Sequence, residues 1–245
     1  MLELVGVGKS YGSVTALEQV SFSVSAGEVV ALVGDNGAGK STTAKIIAGA
    51  TAPDEGTVVF GGEERAWQSP GEARQAGVEM VYQDMGLAPH LSVAGNIYLG
   101  QELRRRGLLG RLGFYDRETM AREAAEALGR LHVNVPRGDF PVTALSGGQR
   151  QAIAIARALT WARKLLILDE PTNHLGVSGT KEVLEIIHKV RDRGVGVILI
   201  SHTIPQVLDV ADRIVVLWQG HVTRVLPKAE ATLEKVVAEI TGASA

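Results

Sequence analysis

Apolar and polar positions fall into two patterns along the chain. Leu2 to Val7 alternates with period two, the mark of a strand with one covered face. The turn Ser10-Tyr11-Gly12-Ser13 leads into a further strand, Val14 to Val24, bent at Glu18 and Gln19. Val29–Val33, Val78–Tyr82, Leu165–Leu168 and Val197–Ile200 are instead short, largely apolar runs, as expected of strands buried on both faces. Between them come helical stretches at Thr42–Ala48, Ser69–Ala76, Ser178–Arg193 and Ile204–Val210. The second opens with Ser, Pro and Glu and stops at Gly77, and Ser178 is the expected cap of the third. Thr57–Phe60 with Gly61-Gly62, and Arg213–Trp218 with His221–Leu226, read as hairpins, and a final helix follows Pro227. Alternating strands and helices predict an α/β fold with a mostly parallel sheet, preceded by an antiparallel part.

From 85 to 161 the pattern becomes helical. Leu91–Leu99 starts a helix, Asp116 caps Arg117–Leu131, and Ser146-Gly147-Gly148 precedes Gln149–Thr160. Gly100–Gly113 is basic and punctuated by glycine, and Val133–Thr143, with Pro136 and Pro141, reads as loop. The expected organisation is one domain over 1–245, with a core of 1–84 and 162–245 and an inserted helical subdomain, 85–161. The run Arg104-Arg105-Arg106 is either a solvated surface or a face toward a partner or lipid headgroups.

Composition narrows the class. At 245 residues and 45% hydrophobic, the chain can bury a core, but only 4% of it is aromatic, so aliphatic side chains must fill that core. The absence of cysteine excludes thiol catalysis, disulfides and cysteine metal sites. A formal charge of −2 without a concentrated basic face argues against nucleic acid. No apolar run approaches the roughly 18 residues that span a bilayer, and Met1–Gly6 has no signal-like pattern. A soluble cytoplasmic protein is expected, its membrane role, if it has one, supplied by a partner.

The chemistry starts at Gly34-Asp35-Asn36-Gly37-Ala38-Gly39-Lys40-Ser41, which fits G-x-x-x-x-G-K-[ST] between a strand and a helix. Glycines let successive N–H groups curl around phosphate oxygens, and the positive helix end adds to them. Lys40 is long enough to reach β- and γ-phosphates, and the Ser41 hydroxyl can ligate Mg²⁺. Asp169, directly after Leu165–Leu168, fits a Mg²⁺-holding aspartate, and Glu170 a base or orienter for the attacking water. Gln83 and His202 each follow an apolar strand; either alone is a weak signal. His90, His132, His174, His188 and His221 show no metal-ligand spacing. Tyr11 is either a turn aromatic packed on the sheet or a face for adenine. Leu145-Ser146-Gly147-Gly148-Gln149 is a second glycine turn at a helix start, hence a second anion-binding end. Two copies, each offering this turn to the other's phosphate loop across a two-fold axis, is the simplest way to use both.

In order and approximate spacing, these residues resemble the nucleotide-binding subunit of ATP-binding-cassette transporters over nearly the whole chain. The resemblance implies ATP and Mg²⁺ as ligands, with Tyr11 stacking on adenine and Lys40, Ser41 and Thr42 holding phosphates and metal. It implies that Gln83 senses the metal and couples to an integral membrane permease. Ser146 and Gly148 then contact the γ-phosphate in trans, Glu170 is the base and His202 the γ-phosphate switch. After Pro171-Thr172 the family often has a small pair followed by Leu-Asp; here Asn173-His174-Leu175-Gly176 lacks that aspartate, which puts coupling between the two sites in doubt. Val33–Thr42, Ser69–Arg74, Val81–Asp84 and Leu91–Gly100 look like ATPases of monosaccharide importers, nearest the single-cassette, fructose-type branch. That branch implies a nucleotide-dependent homodimer or a pair with a second cassette, a separate permease, and indirectly a periplasmic or extracellular sugar-binding protein. The resemblance places the protein at the inner face of the cell membrane, with no room for the regulatory domain of maltose-type relatives.

Overall fold

The computed structural model describes residues 1–133 and 140–242. Part of the expected 133–143 loop, including Pro136, therefore lies outside the described residues, as do 243–245. The described chain divides into two compact units, one of 1–83, 161–171 and 187–245, the other of 84–160 and 172–186. The second differs from the expected 85–161 by taking in 172–186. Within it, a Cβ on Gly148 would lie 2.8 Å from the Cα of Gly179, so these backbones nearly touch.

The first unit holds two sheets. Strands β1 (Leu2–Tyr11), β2 (Val14–Val24), β4 (Glu55–Phe60) and β5 (Glu63–Arg65) form an antiparallel sheet of order β2-β1-β4-β5. The expected bend is real: Gln19 has φ 51°, and the β1–β2 register shifts beside it, so alternation resumes out of phase. The larger sheet has order β10-β9-β3-β8-β7-β6, from β3 (Val29–Gly34), β6 (Val78–Val81), β7 (Leu165–Asp169), β8 (Gly196–Ile200), β9 (Arg213–Trp218) and β10 (His221–Pro227). Its pairs are parallel except β9–β10.

β3 lies at the centre, buried at every position. Val30 and Leu32 join one core with Leu4, Phe22 and Phe60 of the antiparallel sheet and Ile46 of α1 (Lys40–Ile47). Ala31 and Val33 face a second core with Val207 of α8 (Ile204–Val210) and Val236 of α9 (Leu233–Ile240). At about 25 cal/mol per Å², burial on both sides explains a run without polar interruption. The helix α2 (Pro70–Ala76) ends at Gly77, φ 103°, as its glycine predicts.

The second unit contains α3 (Val93–Ile97), α4 (Leu108–Arg111), α5 (Arg117–Arg130), most of α6 (Gly147–Trp161) and the start of α7 (Val177–Asp192). Asp116 caps α5 by accepting from the Thr119 N–H. Asn96 is fully buried and satisfied, accepting from the Ala88 N–H and donating to the carbonyls of Ala88, Leu91 and Ser92. Burial and the neighbouring Glu123 carboxylate push the Tyr98 hydroxyl up to about 12. Two expectations change. α4 is a single turn with no apolar period to announce it. Ser178 does not cap α7: the helix has already begun at Val177, and Gly176 O accepts from the Thr180 N–H.

Candidate functional site

Parallel strands bring the expected residues to one edge. Leu32 on β3 and Asp169 on β7 both pair with Ile200 on β8, so the three carboxyl ends lie level. Past those ends come the phosphate loop, Glu170 and His202; Gln83 follows the neighbouring β6 and is exposed.

The loop 34–39 is fixed by contacts only glycine permits. Gly34 has φ 153°, and a Cβ there would lie 2.2 Å from the Leu217 carbonyl oxygen; at Gly39, φ 103°, it would meet Leu17 Cδ2 at 2.5 Å. Asp35 stabilises the turn by accepting from the Asn36 N–H at its carboxylate and from the Ala38 N–H at its carbonyl. Gly220 donates to the Ala38 carbonyl while its own carbonyl accepts from Glu18, tying the loop to β2. Gly39 is the cap of α1 and has no side chain to cap it with, so the first N–H groups of the helix have no side-chain cap. Ser41 and Thr42 occupy its first turn. Lys40 Nζ donates to the carbonyls of Gly34 and Asp35, each at 2.9 Å.

The acidic pair divides by environment. Burial, then the neighbouring Glu170, pushes the Asp169 carboxyl up, with Lys40 and Lys45 opposing. Burial likewise pushes the Lys40 ammonium down, against Glu170, Asp35 and Asp169. Glu170 sits at φ 50°, an uncommon torsion costing about 1–3 kcal/mol, and its N–H donates to the Ile200 carbonyl. Its Oε1 accepts from His202 Nδ1–H at 2.8 Å. The Glu170 side chain is 15% exposed and that of His202 61%. One end of the pair is therefore sheltered and the other open.

Tyr11 ends β1 and is 48% exposed, which leaves both of its readings open. Lys9 Nζ lies 5.7 Å from the ring centroid and is itself held by Asp54. Ser146, Gly147, Gly148 and Gln149 belong to the second unit. Ser146 N–H donates to Gln149 Oε1 at 3.0 Å and Gln149 N–H to Ser146 Oγ at 3.2 Å, a reciprocal capping box. Arg150 donates to the Leu145 carbonyl at 2.7 Å and so holds the turn from behind. Sequence reasoning missed this role of Arg150 and the Gly220 tether; neither residue type carries a signal for a backbone contact. Gly176 has open space where a Cβ would stand.

The sequence model of the ABC transporter family matches residues 17–173, more than half of the chain. The chain belongs to the ABC transporter family. Over 240 residues this cassette is 45% identical to the fructose import ATP-binding protein FrcA of Rhizobium meliloti, covering 97% of this chain and 92% of that protein. It is 42% identical to the xylose/arabinose import ATP-binding protein XylG of Sulfolobus acidocaldarius, covering 98% and 94%. A ribose import ATP-binding protein of Rubrobacter xylanophilus matches at 42% identity over 99% of the cassette but only 46% of its own length. Among solved structures, a dimeric ATP-binding cassette in a post-hydrolysis state with ADP and Pi is similar at TM-score 0.76 and 27% identity, covering 93% of this chain and 99% of that one.

Proposed function

We propose that the protein is the ATP-hydrolysing subunit that energises import of a small sugar through a separate membrane permease. The observation that carries the ATPase reading is Glu170, sheltered and held by His202, beside a phosphate loop whose lysine is already in place. Names of relatives at 42–45% identity along nearly the full chain support the sugar.

The phosphates of ATP would take the N–H groups of Lys40, Ser41 and Thr42 at the uncapped start of α1, and Lys40 Nζ would exchange its two carbonyl partners for β- and γ-phosphate oxygens. Glu170 orients a water and takes its proton as the water oxygen bonds the γ-phosphorus and the bond to the bridging oxygen breaks, leaving ADP and phosphate. His202 holds the Glu170 carboxylate in that position. Tyr11 offers adenine a face without demanding a base pattern.

Ser41, Gln83 and Asp169 would hold Mg²⁺. Their donors are all oxygens, and among the described residues no cluster of three His or acidic groups forms a cage of its own. An Asp169 carboxyl pushed up by burial is short of positive charge, which suits a small hard dication that keeps phosphate and water ligands. When bound, the ion would neutralise charge on the β- and γ-phosphates.

The self-capped α6 start would close the site from a second copy, or from a paired cassette, so that nucleotide holds the two together at the inner face of the membrane. A sugar-binding protein outside would deliver cargo to the permease. Glu170→Gln tests the assignment: hydrolysis should fall about 10²- to 10⁴-fold. ATP binding and an ATP-dependent dimer, read by light scattering, should persist. Hydrolysis at the wild-type rate would remove Glu170 from the mechanism.

A further inference from the structure

Between α3 and α5 the chain makes an excursion with no part in the chemistry above. Its base is closed like a hairpin: Arg104 bridges Tyr115, the Arg105 N–H donates to the Phe114 carbonyl at 2.9 Å, and the Asp116 N–H donates to the Leu103 carbonyl at 2.7 Å. Its tip is the single turn α4. Gly110 is packed so closely against the base that a Cβ would fall 1.7 Å from the Arg105 carbonyl oxygen, so the tip is folded down and held.

What it presents is unusual for a water-facing loop. Leu108 is 72% exposed, Leu112 66% and Phe114 56%, with Leu109 and Tyr115 also exposed. Around them stand Arg104, Arg105, Arg106 and Arg111, all exposed. From Leu103 to Tyr115 there is no acidic residue. None of the four guanidiniums forms a salt bridge with a described carboxylate, although Asp116 feels the field of Arg105. Exposed leucine and phenylalanine cost free energy in water unless covered, and a patch of them rimmed by charge marks an interaction surface.

We propose that the loop Leu103–Tyr115 docks on anionic lipid headgroups, its leucines entering the interfacial layer and its arginines pairing with phosphates. Charge complementarity selects this occupant. Four cations, none in a salt bridge with a described carboxylate, match a surface of like negative charges, and large apolar side chains interleaved with arginine match the boundary between headgroup and acyl chain. A protein groove would have to supply an acidic and an apolar lining together. The inference does not rest on sugar import; it gives the chain a membrane contact of its own, in addition to any permease.

The test uses the full chain and permease-free vesicles, with flotation as the readout. Binding is expected to vesicles of phosphatidylcholine with 30% phosphatidylglycerol (roughly the anionic fraction that attracts polybasic segments) and to weaken as salt rises. Near an anionic surface each arginine changes partition about fivefold, so Arg104→Gln, Arg105→Gln, Arg106→Gln and Arg111→Gln together should lower it at least a hundredfold. Leu108→Ser with Leu112→Ser should lower it about tenfold while leaving salt dependence intact. All these positions are exposed, and circular dichroism and ATP hydrolysis in solution should match wild type. Three outcomes would overturn the proposal: no binding to anionic vesicles, binding that the arginine variant retains, or binding to neutral vesicles as strong as to anionic ones.

Discussion

The turn that opens α1 and the turn that opens α6 are both rich in glycine, yet their glycines do different things. In the first, Gly34, Gly37 and Gly39 all have positive φ; Gly37 has open space for a Cβ, so its torsion is its whole reason for being there. In the second, Gly147 and Gly148 begin a helix and are valued for what they lack: a Cβ would stand 2.9 Å from Leu175 Cδ2 in one case and 2.8 Å from Gly179 Cα in the other. The caps differ in the same sense. Gly39 leaves the start of α1 open, and Lys40 satisfies the carbonyls of its own loop, whereas Ser146 and Gln149 close the start of α6 between themselves. The first turn leaves its helix start uncapped. The second is closed by its own side chains.

The comparison can be broken by substitution. Gly34→Ala should do most damage, since it adds a backbone clash at Leu217 to a torsion that resists any side chain. About 3 kcal/mol of stability should go, with loss of ATP binding, by thermal unfolding and nucleotide titration. Gly148→Ala meets a close backbone without an unusual torsion and should cost about 2 kcal/mol in urea unfolding, sparing ATP binding by the isolated chain. Gln149→Ala removes half of the capping box and should cost about 1 kcal/mol, and no comparable loss is available at the uncapped α1.

Asp169→Asn sharpens the contrast through its sign. The Asp169 carboxyl is raised by burial above its ordinary 3.8, so the folded chain holds that proton more tightly than the unfolded one. Folding is then free of penalty below the ordinary value, loses stability as pH rises through the interval up to the raised value, and keeps the full penalty above it. Without nucleotide the Asn variant should therefore melt higher than wild type at pH 7, with the gap closing toward pH 4. A variant that melts lower at neutral pH would mean that Asp169 supports the empty site.

The first turn was legible because strand, glycines, Lys40 and helix are contiguous, and pattern and chemistry coincide from Val29 to Ile47. Asp169 was legible for a similar reason, as the polar end of Leu165–Leu168. The Glu170–His202 contact spans 32 positions, and only the strand order β8-β7 brings them together. The torsion at Glu170 had no signal, because glutamate ordinarily avoids positive φ. Ser178 misled because serine is a good cap in general, but Gly176 O had already taken that place. The reciprocal bonds of Ser146 and Gln149 were written as S-x-x-Q and went unread beside the more conspicuous glycines. α4 could not be foreseen, since one turn has no period.

The bond between His202 and Glu170 also fixes a count of hydrogens. A carboxylate only accepts, so the ring must present its Nδ1–H to it. A neutral imidazole then has nothing left at Nε2 but a lone pair, on the side chain's exposed end. With Nδ1 engaged, that lone pair is the ring position left to meet a donor arriving from solvent.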